Sequence, residues 1–331
     1  MSRWKYVILG LVAAVIAVVG VVVFGNDYRY RLESPAIPVA GGTLEGVLTL
    51  PPNGPPRGLV VIVHGDGPVD ATHDGLYLPW FEAAADAGFA TVSWNKAGVG
   101  GSRGNWLHQS MTDRAAEVSA VIDWAQKQTG AEKVVLWGVS QAGWVLPAVA
   151  VARDDIDGIV AVSPAINWLR QGRFNLLAEL DHEHAGPDER AQAIAVSDQT
   201  RALLTQDANY ATYREKTTDP EPMDADRWDF VKRNHTADAT QDLTALAATK
   251  VPVLLLLGEQ DRNVDIAETA TTYQRLLGAG VTTRRFDAMH SMAKPAVENS
   301  ELLGFFTAVF WPRALFADGV LAVHRDFLRA R

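Results

Sequence analysis

The chain has 331 residues, a formal net charge of -9 and no cysteine. An acidic balance without a basic, aromatic-interleaved patch argues against a nucleic-acid partner, and the missing thiols exclude disulfides, thiolate metal sites and a cysteine nucleophile. The length suits one large α/β domain carrying an insertion, or two modest domains.

The chain opens on a run of twenty uncharged residues, Tyr6 to Gly25, preceded by Arg3 and Lys5 and ended by Asn26 and Asp27. Roughly twenty apolar residues suffice for a membrane-spanning helix. A buried helix of that length would show a polar stripe, and none is visible. A cleaved signal peptide usually has a shorter apolar region followed by an A-x-A-like site, which is missing before Asn26. Residues 1–26 therefore read as an uncleaved signal anchor, with a cleaved signal as the rival. Arg3 and Lys5 favour a cytoplasmic N-terminus, against the nearby Arg29 and Arg31, so the bulk of the chain is expected outside the cytoplasm.

Residues 28–32 form a candidate first strand, and 43–50 alternate apolar and polar residues as a half-exposed strand does. Gly58 to His64 is a continuous apolar run, the pattern of a strand buried on both faces, stopped by Gly65-Asp66-Gly67-Pro68. Leu76 to Ala87 has helical periodicity, and Phe89 to Trp94 reads as another buried strand. Thr112 is a plausible N-cap for a helix with Ala115, Val118, Ile122 and Ala125 on one face. Strands follow at Val134 and at 157–162. The alternation predicts a mostly parallel sheet covered by helices on both faces.

From about 165 to 245 the alternation breaks and the sequence reads as a helical insertion. It resumes with the strand 251–257, a helix over 266–277, a last strand over 281–286 and further helix from Ala296. The apolar stretch Leu302 to Trp311 is too short to span a membrane, and core packing is its expected fate.

The chemistry centres on Gly138-Val139-Ser140-Gln141-Ala142-Gly143. A serine on a sharp strand-to-helix turn needs small neighbours, supplied here by Gly138, Ala142 and Gly143. A serine hydroxyl is a poor nucleophile without a base, and the base needs a carboxylate to fix its tautomer. Asp261 follows the 251–257 strand and His290 follows the last strand, so both face the rim that carries Ser140. Glu259 and Asp265 are rivals for the acid, with Asp265 better suited to starting the next helix. The backbone N–H groups of Gln141 and Asp66 are the expected oxyanion donors, and His64 is expected to make a structural hydrogen bond.

HGDGP at 64–68, GVSQAG at 138–143, GEQD at 258–261, AMH at 288–290 and the loop NKAGVGGS at 95–102 together resemble the α/β-hydrolase superfamily. Within it they resemble the serine-aminopeptidase-like branch, which also holds lysophospholipase-like carboxylesterases. The resemblance covers about residues 38 to 331. It implies an α/β-hydrolase fold with an eight-stranded, mostly parallel sheet and a cap inserted after the sixth strand, within a domain running from 27 to 331. The 95–102 loop resembles the family's D-x-R-G-x-G-x-S, but Asn95 stands for the acid and Ala97 for the arginine.

The expected activity is cleavage of carboxylic esters through an acyl-enzyme on Ser140, with His290 as base and Asp261 as its orienting acid. A peptidase or thioesterase using the same residues is the alternative, and a non-catalytic membrane-anchored module is the reading of another class. The expected partners are a small-molecule or lipid-like acyl substrate and a membrane, the latter through the N-terminal helix. No cofactor motif is read. The two histidines of His182-Glu183-His184 would point to different faces of a helix, a poor metal site. Asn234-His235-Thr236 is a glycosylation sequon, and Trp106, Trp144 and Trp168 are candidates for an apolar acyl pocket, although plain core packing suits at least two of them better.

Overall fold

The computed structural model describes the backbone from Arg3 to Arg331, without the side chains of residues 3–10, 13 and 14. The chain begins with α1 (Arg3–Gly25). The expected anchor at 1–26 rests partly on residues outside this description, and among the described residues no helix is long and apolar enough to cross a membrane.

Strands β1 (Arg31–Glu33), β2 (Ala36–Val39) and β3 (Gly42–Leu50) come next, then β4 (Gly58–Val63), α2 (Leu78–Asp86), β5 (Phe89–Trp94), α3 (Met111–Thr129), β6 (Val134–Val139), α4 (Leu146–Ala152) and β7 (Ile156–Val162). The insertion holds α5 (Trp168–His182), α6 (Pro187–Thr205), α7 (Tyr210–Lys216) and α8 (Ala225–Asn234), and α9 (Thr240–Thr249) leads back to the body. The chain closes with β8 (Val253–Gly258), α10 (Ile266–Leu277), β9 (Val281–Phe286), α11 (Pro295–Glu298), α12 (Glu301–Phe310) and α13 (Val320–Arg329).

The sheet is mixed and has nine strands, in the order β1-β3-β5-β4-β6-β7-β8-β9, with β2 paired to β3 beside that path. The expected count of eight missed β2, a four-residue edge strand whose Pro38 cannot donate to a ladder. The first strand also starts later than expected, at Arg31. β3 pairs antiparallel with β5, and β5 through β9 run parallel. Successive residues of β4 point to opposite faces, so Leu59, Val61 and Val63 pack under α3, α4, α9 and α10, while Val60 and Ile62 pack under α2 and α13. This double burial is why the parallel strands read as unbroken apolar runs.

Local chemistry moved two helix starts. Ser110, not Thr112, caps α3: its hydroxyl accepts from Asp113 N–H while the Asp113 carboxylate accepts from Ser110 N–H, a capping box. The helix expected after the Ser140 turn starts as a 3₁₀ segment over Ser140–Trp144, and α4 begins at Leu146 because Pro147 fits only a first turn. The insertion is pinched at its root, where Asn167 bridges Asp238 and Trp168 N–H donates to the Ala237 carbonyl. Asn234 of the sequon is buried. Its amide oxygen accepts from Met111 N–H, and its Nδ2 donates to the carbonyls of Gln109 and Phe230, so it ties α8 to the start of α3 instead of offering a sugar acceptor.

The stretch expected in the core, Leu302 to Trp311, is not there: α12 has no buried residue.

Candidate active site

The parallel strands end on one rim, and the candidate residues follow from what the chain must do there. β6 ends at Val139, and Ser140 takes φ = +58°, a left-handed conformation that is unusual for a side-chain-bearing residue. The turn is so tight that a Cβ at Gly138 would lie 2.6 Å from the Ala142 Cβ, and one at Gly143 would lie 2.5 Å from the Ala165 carbonyl oxygen. Those glycines are what make the turn possible.

Asp261 and His290 arrive from the ends of β8 and β9. His290 Nδ1 donates to Asp261 Oδ2 over 2.8 Å, and Asp261 Oδ1 accepts from the N–H groups of Asn263 and Val264 at 2.8 and 2.9 Å. Burial opposes ionisation of Asp261. The hydrogen bond and charge of His290, with the Val264 N–H, outweigh it and hold the carboxyl below the ordinary carboxylate range. A donating Nδ1 leaves the neutral ring's Nε2 as the basic nitrogen. That atom is buried and has no protein partner. Of the rivals, Asp265 caps α10 through Ala267 and Glu268 N–H, and Glu259 is exposed.

Ser140, His290, Ser291, Asn263, Gly65 and Asp66 line one cavity of about 190 Å³, walled by Val69, Leu76, Tyr77, Trp80, Trp137, Val139 and Val162. The structure thus brings Ser140, Asp66 and His290 together, with Asp261 behind the histidine and Gln141 at the start of the turn helix. The aromatic wall is Tyr77, Trp80 and Trp137, and the candidates Trp106, Trp144 and Trp168 are not part of it. Those three pack with one another's neighbours: Trp144 stacks on Trp168 at 4.9 Å, and Trp106 meets Phe230 edge-on at 5.2 Å. A larger cavity of about 780 Å³ lies among α5, α6 and α8 and contains none of the site residues.

A set of charges missed by sequence reasoning holds the 64–68 loop. Buried Lys96 donates through Nζ to the carbonyls of Gly65 (2.6 Å) and Gly67 (2.9 Å). Burial and the neighbouring Arg114 pull its pKa well below the usual lysine range. Arg114, also buried, donates to the His64 carbonyl at 2.6 Å and to Gln141 Oε1. Gln141 Nε2 donates to Asp66 Oδ1 at 3.0 Å, and Arg227 of α8 grips the same carboxylate at 2.6 and 3.1 Å. His64 is structural, as expected. It donates to the Trp94 carbonyl at 2.6 Å, and burial, with the Lys96 charge next, lowers its pKa to about 3.

In the 95–102 loop, Asn95 accepts from Ala71 N–H (2.7 Å) and donates to Glu45 Oε2 (3.0 Å), which also receives Gly101 N–H. This neutral amide and Glu45 brace the loop in which Asn95 stands for the acid and Ala97 for the arginine. Arg114 left a readable signal, since it falls on the apolar stripe of α3 with Met111, Val118, Val121 and Ile122. Lys96 left a weaker one, standing next to the position where the loop lacks its arginine.

The family model for serine aminopeptidase S33 matches residues 54–293. The chain belongs to this family. This S33-family chain is therefore a hydrolase of the α/β-hydrolase superfamily, and its mixed nine-stranded sheet carries that fold. Solved structures similar to it include Est1E from Butyrivibrio proteoclasticus with ferulic acid bound (17% identity, TM-score 0.55, covering 90% of this chain and 97% of that one). An esterase from Pyrococcus furiosus is similar at 16% identity and TM-score 0.54, covering 85% and 90%. An acylaminoacyl peptidase from Pyrococcus horikoshii is similar at 13% identity and TM-score 0.53, covering 92% of this chain and 42% of that one. At these identities the likeness is one of fold. Among curated proteins, an uncharacterized protein of Rickettsia prowazekii is 26% identical over 99 residues, covering 30% of this S33-family chain and 41% of the relative's own length.

Proposed function

We propose that this chain is a serine esterase that cleaves small or hydrophobic carboxylic esters through an acyl-enzyme. The observation that carries the reading is the Asp261–His290 hydrogen bond, which leaves a buried, unpartnered Nε2 in the cavity that Ser140 also lines. Ser140 Oγ attacks the ester carbonyl as its proton passes to His290 Nε2. The N–H groups of Gln141 and Asp66 hold the resulting oxyanion, with buried Lys96 and Arg114 fixing the loop behind them. Collapse breaks the bond to the alkoxy oxygen, which takes the proton from His290 and leaves as the alcohol. A water then gives His290 its proton and attacks the acyl carbon; collapse breaks the bond to Ser140 Oγ, which takes the proton back from His290 as the acid leaves.

An ester is favoured over an aminoacyl substrate by the charge of the cavity. An aminopeptidase must bind a free α-ammonium, and the single carboxylate lining this cavity is Asp66, already paired with Arg227 and hydrogen-bonded by Gln141. At about 190 Å³ the space is smaller than the ~300–1,000 Å³ usual for drug-sized ligands, which suits a short acyl group. An ester substrate also agrees with the similar fold of the Pyrococcus furiosus esterase.

The test is labelling by a fluorophosphonate, expected in the native chain and lost in Ser140→Ala; folded protein that resists the probe sinks the reading. A panel of acyl esters and aminoacyl anilides then decides the bond cleaved, with faster anilide turnover favouring the peptidase. The N-terminal run supports a second part of the proposal: residues 1–26 anchor the catalytic domain to a membrane, on the extracytoplasmic side, or are removed to leave a secreted enzyme.

A further inference from the structure

Resting on the membrane-anchored reading, we propose that α12 is a second membrane contact: it lies in the interfacial layer of a lipid bilayer beside α1 and sets the catalytic rim against the membrane surface.

The helix is apolar nearly all round, ELLGFFTAVF, with one charge at its first residue, and yet none of it is buried. Leu302, Phe305 and Phe306 are 73%, 62% and 52% exposed, and Trp311, which ends the helix, is 51% exposed. At 100° per residue, Leu302, Leu303, Phe305, Phe306 and Val309 fall on one face. Large solvent-facing apolar patches of this kind mark an interaction surface.

What covers the face follows from its neighbour. α12 is locked to the C-terminal end of α1: Asn26 Nδ2 donates to the Val309 carbonyl at 2.8 Å, and a Cβ at Gly25 would collide with the Phe310 carbonyl. Arg313 clamps the same corner, donating to the carbonyls of Gly25 (2.6 Å) and Asp27 (2.8 Å) and pairing with Glu82. Residues 15 to 20 of α1 are exposed in unbroken succession, so every side of that segment is both apolar and uncovered. A groove on one protein partner would cover one side and leave a polar stripe opposite, whereas lipid covers all sides. The α12 face continues that surface, and a tryptophan stands at its edge, where amphipathic rings favour a membrane–water boundary.

The link to the site is short. α11 and α12 form an excursion closed at its root by the Ala293–Phe316 bridge and by Lys294 N–H donating to the Leu315 carbonyl at 2.8 Å. It leaves directly after the His290 loop, and Ser291 Oγ, on the cavity wall, donates to Glu298 Oε2 of α11 at 3.3 Å.

The absence of cysteine allows single nitroxide labels. The full chain is placed in phosphatidylcholine vesicles with a label at Leu302→Cys or Phe305→Cys, at Val15→Cys in α1, or at exposed Gln128→Cys in α3, and collision with oxygen and with a water-soluble nickel chelate is measured. The expected oxygen-to-nickel ratio at 302 and 305 exceeds that at 128 by about threefold or more and falls below that at 15, as the interfacial layer lies between water and the bilayer centre. Labels at 302 and 305 that behave like 128 overturn the proposal while a lipid-exposed 15 keeps the anchor. If 15 is also in water, the anchor falls as well. Labels shielded from both reagents, with dipolar broadening between copies, assign the face to a second copy and also overturn it. Quenching by brominated lipid that decreases in Trp311→Phe is the label-free expectation, and unchanged quenching counts against the proposal. Fluorophosphonate labelling of Ser140 in each variant reports folding and the esterase reading separately.

Discussion

The two halves of the candidate site are built in opposite ways. The acid–base half, Asp261 and His290, is local: two loops at the ends of adjacent strands, one hydrogen bond and two supporting backbone N–H groups. The oxyanion half is assembled from distant segments, with Lys96 after β5, Arg114 on α3, Gln141 after β6 and Arg227 from the insertion all converging on residues 64–67. The first half needs only the sheet. The second needs the sheet, a helix on one face and the cap to be in place together. Stabilising developing negative charge requires fixed dipoles and cations in a dry place, and burying cations requires partners from every side.

That contrast can be broken experimentally, beginning with the reacting groups. Ser140→Ala and His290→Ala are expected to lower kcat by about 10⁵-fold or more, and Asp261→Asn by about 10⁴-fold, because its amide would favour the wrong histidine tautomer. Ester hydrolysis after chromatographic repurification checks all three. In the other half, Lys96→Met leaves the carbonyls of Gly65 and Gly67 unpaired and frees the loop that carries the Asp66 N–H. It should lower kcat by roughly 10- to 100-fold with KM nearly unchanged. A KM rise at constant kcat would instead make Lys96 a binding residue.

How much of this was legible depends on the length scale over which each feature is encoded. The parallel strands were readable because double burial leaves no polar residue in Val134–Val135–Leu136 or Leu254–Leu255–Leu256, and the rim residues were readable because they directly follow such runs. β2 was not, since four residues containing Pro38 carry no periodicity. Lys96 and Arg227 look like ordinary surface cations until the fold shows what they face. The run at 302–311 misled for a related reason: hydrophobicity says that a segment avoids water, but not whether protein or lipid takes it in.

A smaller effect sharpens the comparison. Arg227→Gln removes the cap's grip on Asp66 but leaves the Asp66 N–H in the backbone, so activity should fall by about threefold to tenfold. Because the pair is partly exposed, raising the salt should bring the native enzyme towards the variant while the variant itself changes little. Salt-insensitive activity in both would remove the cap from the oxyanion half.

The smallest expected effect separates stability from chemistry. Burial lowers His64 and His324 to about 3 from an ordinary 6.5. As pH falls through that window the unfolded chain binds protons that the folded chain refuses. Stability therefore rises with pH between those values and is lost on acidification. His324 packs against Trp80 on the α2–α13 side. His324→Leu should lessen the drop in Tm between about pH 7 and about pH 5 with kcat unchanged; thermal melts and ester assays at both values check it.

The Arg227–Asp66 pair has one more consequence. The loop that must hold still during the reaction is fastened to the inserted cap as well as to the body of the sheet. An acyl or alcohol group bulky enough to lift α8 would carry Arg227 off with it and loosen the donor that its own hydrolysis needs. Such a latch would sort substrates by girth without any contact to the portion being measured.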